Sequence, residues 1–411
     1  MDTVEVEAGG VVAGGDAIAR DADGRVVFVA GALPGERVVA EVVHERKDFR
    51  RAIVVDVLDA SPDRVAPPCA NLAAGCGGCA WQHVTRGAQP RLKVDVVRDA
   101  LRRIAGDAGA IDDVAIVAVP GGDLRTTLRV AVRDGRAAFH RAGATFGGRS
   151  REGAPRAAHD DLVGAAGCLV AHPLLAELLE VGSFGDATEA VLRASIATGQ
   201  RVAMLRPTPR GASFPDDVVV VGERADEIAA IDEVVAGRTF RVSARSFFQP
   251  NPAVAEVLVA TVADALGLMP GGARLADLYA GVGLFGAVLG DRWGASVVAV
   301  EQSSPSVADA RRNLADLDAV VVQGEVGRWA PDGTFDAVVA DPARPGLGKP
   351  GVAAVVRAKP ASIALVSCDA ASLARDIRLL AGEGYAATAV RVLDAFPDTP
   401  HVEVVTAFRP V

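Results

Sequence analysis

Five cysteines stand in 411 residues, and their spacing sets four of them apart as a group. Cys69, Cys76 and Cys79 fall within eleven residues among Gly75, Gly77 and Gly78, and Cys168 follows at a distance. Soft thiolates on a backbone that small residues allow to fold tightly suit a soft metal centre. Zinc and an iron–sulfur cluster both qualify, and three close thiols with a distant fourth favour a four-iron cluster over the paired knuckles of structural zinc. So sparse a set does not make a disulfide framework. The fifth thiol, Cys368, ends the run Ala364-Leu365-Val366-Ser367, and a thiol at the carboxyl end of a parallel strand can serve as a nucleophile. His401 and Glu403, just before the apolar run 404–408, are two candidate bases.

A second constellation, 275–286, runs from an apolar strand into the glycine-rich turn Tyr279-Ala280-Gly281-Val282-Gly283 and opens a helix. Gly281-x-Gly283-x-x-Gly286 satisfies the dinucleotide fingerprint, and Glu301, closing the next strand, could grip ribose hydroxyls. The motif alone admits either NAD or S-adenosylmethionine. Asp277, and Asp341 in Asp-Pro-Ala-Arg at 341–344, supply negative charge, while few basic groups offer themselves to a pyrophosphate. A sulfonium cation fits that balance better. Gln249, in the stretch 245–252 that precedes a helix, presents an amide to the same region.

The elements that must position these groups fall into three stretches. Short valine-rich runs at 26–29, 38–43 and 53–57, divided by Gly, Asp and Pro, predict a small β-barrel over 1–59. Proline-rich punctuation at 59–68 opens a central region, 60–238, expected to be α+β, in which 91–104 reads as an amphipathic basic helix. From 239 to 411, helices alternate with compact apolar strands, which predicts a doubly wound parallel α/β sheet. Between Arg125 and Arg156, eight arginines face only Asp134 and Glu152, a local basic stretch that reads either as a solvated face or as a patch for nucleic acid in a chain whose net charge is −9. No apolar run approaches a membrane span, and the acidic start Met1–Glu5 lacks a secretory pattern, so the expected setting is the cytoplasm.

Together, Ser-Phe-Phe-Gln-Pro-Asn at 246–251, Asp-Leu-Tyr-Ala-Gly-Val-Gly at 277–283, Asp-Pro-Ala-Arg-Pro-Gly at 341–346, Val-Ser-Cys-Asp at 366–369 and Phe-Pro-x-Thr-Pro-His-Val-Glu at 396–403 resemble the RNA uracil-5 methyltransferases, in the same order. The first 59 residues resemble a TRAM RNA-binding barrel, with Phe28-Val29 and Pro34-Gly35-Glu36-Arg37-Val38 at the expected places. The resemblance implies that Cys368 is the nucleophile and Glu403 the proton-abstracting base. It implies that Gln249, Tyr279, Glu301 and Asp341 contact S-adenosylmethionine, and that Cys69, Cys76, Cys79 and Cys168 ligate a 4Fe–4S cluster. It further implies an RNA substrate, ribosomal rather than transfer RNA, for a monomer with no obligate protein partner and no membrane attachment. Departures exist: many relatives carry Phe-Cys-Gly at 279–281, Asn at 284, Pro at 343 and Asn-Pro at 369–370, where this chain has Tyr279-Ala280-Gly281, Leu284, Ala343 and Asp369-Ala370. Leu284, Ala343, Asp369 and Ala370 also leave room for another class of function, a cluster-bearing RNA-binding protein with a degenerate catalytic region.

Overall fold

The computed structural model describes residues 2–142, 161–223 and 229–411. At the N-terminus, strands Thr3–Glu7, Ala17–Arg20, Val26–Ala30, Arg37–Glu45 and Phe49–Asp59 form one sheet in the order first, fourth, fifth, third, second. Alternation builds its core, because side chains on a strand point to opposite faces in turn. Val27 and Val29 are therefore buried with Val6, Ala17, Ala19, Val38, Ala40 and Ala52. Glu36 is fully buried beside this core, and it is not left unpaired. Its carboxylate accepts hydrogen bonds from Leu33 N at 2.7 Å and from Arg64 at 2.5 and 2.6 Å, which ties the barrel to the segment that follows. Those donors outweigh the cost of burial and hold the Glu36 carboxyl below its usual pKa.

A six-stranded sheet occupies the middle of the chain, built from Thr127–Arg133, Arg136–His140, Leu162–Gly164, Glu189–Ala194, Arg201–Arg206 and Val218–Gly222. Helix Pro173–Val181 covers one face through Leu175 and Leu178.

The third sheet has eight strands in the order Ala319–Gln323, Ser296–Glu301, Arg274–Leu278, Ala337–Ala340, Ser362–Ser367, Glu403–Pro410, Tyr385–Leu393 and Val114–Val117. Only Glu403–Pro410 runs against its neighbours. Both faces are covered: Ile363 and Leu365 enter one apolar cluster, while Ala364 and Val366 enter the other. Such strands read as continuous apolar runs, which is why they were legible in the sequence. From Arg274–Leu278 the chain moves outward in one direction through two strands, then returns to place Ala337–Ala340 on the other side. The crevice at that reversal, beyond the carboxyl ends of the two strands, is where open α/β sheets bind ligands.

The sequence divided the chain at residue 238, but the structure draws part of 60–238 into the C-terminal sheet. Strand Val114–Val117 pairs in parallel with Tyr385–Leu393 and supplies the eighth strand. Helix Gln89–Ala100, continued by the π turn Leu101–Ala105, packs its apolar face in one cluster with Leu373, Ile377 and Leu380 of helix Ala370–Gly382. Among the described residues, no helix is long and apolar enough to cross a membrane.

Candidate active site and cysteine cavity

Four strand ends meet at the crevice. Leu278 pairs with Ala340 and Ala340 with Leu365, so Tyr279, Asp341 and the end of Ser362–Ser367 emerge side by side. Register brings the last two groups together. Ser367 pairs with Val404 on the antiparallel strand, so Cys368, one residue beyond, lies beside Glu403, one residue before. Cys368 is half-buried and Glu403 is 4% exposed. Burial, and then the charges of Glu403 and Asp341, push the Cys368 thiol up to about 12. Burial and Asp341 likewise raise the Glu403 carboxyl well above its ordinary value. Asp341 itself is pushed up to about 7 by burial. Burial thus favours the protonated, neutral form of all three groups. His401, the other candidate base, is exposed, and its Nδ1 stands 3.5 Å from Arg344 Nη2.

The glycine loop is shaped by its backbone. Tyr279, Gly281 and Gly283 have φ of 62°, 55° and 85°, and the non-glycine Tyr279 holds a conformation that L-residues seldom adopt. Glu301 braces the turn, accepting from Gly281 N at 2.9 Å and Ser303 N at 2.7 Å. Each oxygen keeps a lone pair for a further donor. Asp277 lies deeper and accepts from Gly286 N at 2.8 Å. A Cβ at Gly286 would sit 3.0 Å from Val297 and 3.1 Å from Asp277, so glycine there lets the helix approach the strand. Asp277 thus supports the loop from below, and burial pushes its carboxyl up to about 7.

Gln249 is 5% exposed, and its amide nitrogen lies 3.5 Å from Asp341 Oδ2. Three contacts set the 246–251 stretch in place. Arg193, buried, donates to Ser246 O at 2.7 Å; Ser246 Oγ donates to Asp309 at 2.6 Å; Asn251 caps its helix by accepting from Val254 N at 3.1 Å. Sequence reasoning passed over Arg193, because arginine in a strand gives no sign of burial. Phe247, between these anchors, is 69% exposed, a large apolar ring left on the surface next to the crevice.

Cys69, Cys76, Cys79 and Cys168 line one cavity of about 240 Å³, together with Arg125, Arg129 and Phe139. Gly75, at φ +98°, and Gly77 let the chain turn closely here, since a Cβ at Gly77 would meet Ala142 N at 3.0 Å. Burial pushes Cys79 up to about 11, and the thiols raise one another. Among the described residues no three Cys, His, Asp or Glu side chains converge as ligands of one metal ion. The four thiols share the wall of one cavity, and their soft donors suit a soft metal centre.

Of the eight arginines at 125–156, Arg149, Arg151 and Arg156 lie outside the described residues. Of the described ones, Arg129, Arg136 and Arg141 are exposed, and several also bond to the protein itself. Arg133 donates to Leu162 O at 2.9 Å, Arg136 to Gly182 O at 3.0 Å and Arg141 to Ala74 O at 2.7 Å, while Arg129 pairs with Glu189 at 3.4 Å. Much of this charge holds backbone in place.

Comparison with known proteins puts this arrangement in a class. The TRAM domain family matches residues 2–55. RNA methyltransferases of Streptomyces avermitilis and Streptomyces coelicolor are 37% and 38% identical over 99% of this chain, covering 98% and 92% of their own lengths. The 23S rRNA (uracil(1939)-C(5))-methyltransferase RlmD of Methylococcus capsulatus is 31% identical over 94% of this chain and 93% of its own. In fold, the chain is similar to the Pyrococcus abyssi tRNA (uracil-54, C5)-methyltransferase solved with S-adenosyl-L-homocysteine. The TM-score is 0.69 at 24% identity, over 98% of this chain and 100% of that one. The class is that of the RNA methyltransferases. Within it, the chain belongs to the RNA uracil-5 methyltransferase family.

Proposed function

We propose that this protein methylates carbon 5 of a uridine in RNA, with the base turned out of its stack, and that the RNA is 23S ribosomal RNA. The adjacency of Cys368 and Glu403, on neighbouring strand ends beside the crevice, carries this reading. Carbon 5 of uracil is a weak nucleophile, so the Cys368 thiolate adds to carbon 6 and the ring becomes an enolate. S-adenosylmethionine supplies the methyl group to that enolate. Glu403 then takes the proton from carbon 5, the enolate re-forms and expels the Cys368 thiolate, and the ring double bond is restored. Asp341, Glu301 and Tyr279 line the donor's crevice, Gln249 reaches it through Asp341, and the acids suit a cation. A base buried in a helix cannot reach Cys368, which is why the nucleotide must be flipped. The ribosomal assignment is supported by the 31% identity to RlmD along nearly the whole chain.

The test is methyl transfer from tritiated S-adenosylmethionine to 23S rRNA and to tRNA transcripts, with mass mapping of the product nucleoside. We expect 5-methyluridine in the ribosomal RNA. Methylation of tRNA alone would reassign the substrate, and no methylation of either would favour the degenerate, RNA-binding reading.

The four cysteines are proposed to hold a 4Fe–4S cluster, with Cys69, Cys76, Cys79 and Cys168 as its thiolates. Anaerobically purified protein is expected to contain iron and sulfide and to show visible thiolate-to-iron absorbance, and Cys168→Ser should lose most of both. Stoichiometric zinc without iron would overturn the cluster in favour of a structural ion.

A further inference from the structure

The loop that delivers Glu403 is held by a helix from the other end of the chain. Strand Tyr385–Leu393 ends at Leu393, which pairs with Glu403 across the hairpin, so residues 394–402 are the connection between them. Lys93, on helix Gln89–Ala100, is 0% exposed and points at that connection. Its Nζ donates to Asp394 Oδ1 at 2.7 Å and to Phe396 O at 2.9 Å. Asp394 directly follows the residue that pairs with Glu403.

One turn earlier on the same helix, Gln89 is 1% exposed and grips the far side of the connection. Its Oε1 accepts from Asp398 N at 2.7 Å, and its Nε2 donates to Asp398 Oδ1 and to Val84 O, each at 3.0 Å. Trp81 N adds a bond to Asp398 O at 2.9 Å. Asp398 itself sits at φ 62°, a conformation that the surrounding bonds must maintain.

A lysine is almost never fully buried unless it is paired, and a leucine at this position would dock the helix with no charge to desolvate. The ammonium is instead spent on two atoms of a single loop. We propose that Lys93 and Gln89 are positioning residues for the base: they fix both ends of the 394–398 segment, so that Glu403 enters its strand facing Cys368. The proposal rests on Glu403 being the base, and it assigns neither Lys93 nor Gln89 any contact with substrate.

A mispositioned base has a specific signature. Addition of Cys368 and methyl transfer precede proton removal, so loosening the loop slows release of the adduct and not its formation. The experiment uses full-length Lys93→Met and Gln89→Met proteins on an RNA substrate, with single-turnover kinetics and denaturing gels, beside Glu403→Gln. We expect turnover to fall tenfold or more, RNA affinity to stay within twofold, and the covalent adduct to accumulate. Asp394→Asn keeps the shape of the contact at a partly exposed site and carries the same test if Lys93→Met does not fold. Wild-type release in a folded variant overturns the proposal, as does lost turnover without an adduct. Should Glu403→Gln itself leave no adduct, the assignment of the base fails instead.

Discussion

Methyl transfer by Cys368→Ala is expected to fall to background, a loss of at least about 10⁴-fold, or ~5.5 kcal/mol of barrier. Nothing else in the crevice can replace the sulfur. Glu403 and Asp341 are carboxyls, His401 is exposed beside Arg344, and Ser367 is buried with no partner. Without addition at carbon 6, carbon 5 has no electron density to offer, so the variant should bind RNA and S-adenosylmethionine but form no adduct with RNA containing 5-fluorouridine. Retained methylation would remove Cys368 from the mechanism. The same thiol makes a second observable in the free enzyme. Burial and two neighbouring acids push it up to about 12, so at pH 7 it is almost wholly protonated. Alkylation of Cys368 by iodoacetamide, located by peptide mass spectrometry, should therefore be slow at pH 7 and rise about tenfold per pH unit towards the pKa. The Glu403 charge disfavours the thiolate, so Glu403→Gln should move that profile to lower pH. Fast alkylation at pH 7, unchanged with pH, would contradict the electrostatics of the site.

The strands around this chemistry were legible because burial on both faces leaves no room for polar residues. Ala364 to Val366 reads as a strand from composition alone, and the residues at its end stand out as the first that can react. Cys368 and Glu403 could be linked only through the motifs they stand in, because their pairing runs between Ser362–Ser367 and Glu403–Pro410 across an intervening helix and strand. Contacts between remote stretches were not legible. Val114–Val117 is a four-residue apolar run whose partner strand lies some 270 residues on, and nothing in either stretch names the other. Lys93 illustrates the same limit for a single residue. The helical periodicity of 91–104 rests on Leu92, Val96, Val97, Leu101 and Ile104, and nothing in it sets Lys93 apart from Arg98, Arg102 and Arg103. The buried lysine obeys a partner, Asp394, that only the fold supplies. In the arginine stretch, charge density alone did not show that Arg133, Arg136 and Arg141 would each also donate to a backbone carbonyl, contacts that only the fold supplies.

Substitution of Glu403 by glutamine should leave the first half of the reaction intact and stop the second. The glutamine amide keeps the shape of the buried side chain but cannot accept the proton from carbon 5, and loss of a general base typically costs about 10²- to 10⁴-fold. Turnover should drop by that amount while a methylated protein–RNA adduct builds up, visible as a slowed band on a denaturing gel and labelled by the tritiated methyl group. The pH dependence carries the sign of the base. Burial and then Asp341 raise the Glu403 pKa, which strengthens it as a base but also protonates it at higher pH than an exposed glutamate. Adduct breakdown in the wild type should therefore slow as pH falls through that raised value, and this acid limb should vanish in Glu403→Gln. Asp341→Asn removes a charge that opposes ionisation of Glu403, so the limb should move to lower pH in breakdown measured after the adduct has formed. A Glu403→Gln enzyme that releases methylated RNA at the wild-type rate, or whose acid limb persists, would require the proton to leave by another route, and the exposed His401 would become the group to replace next.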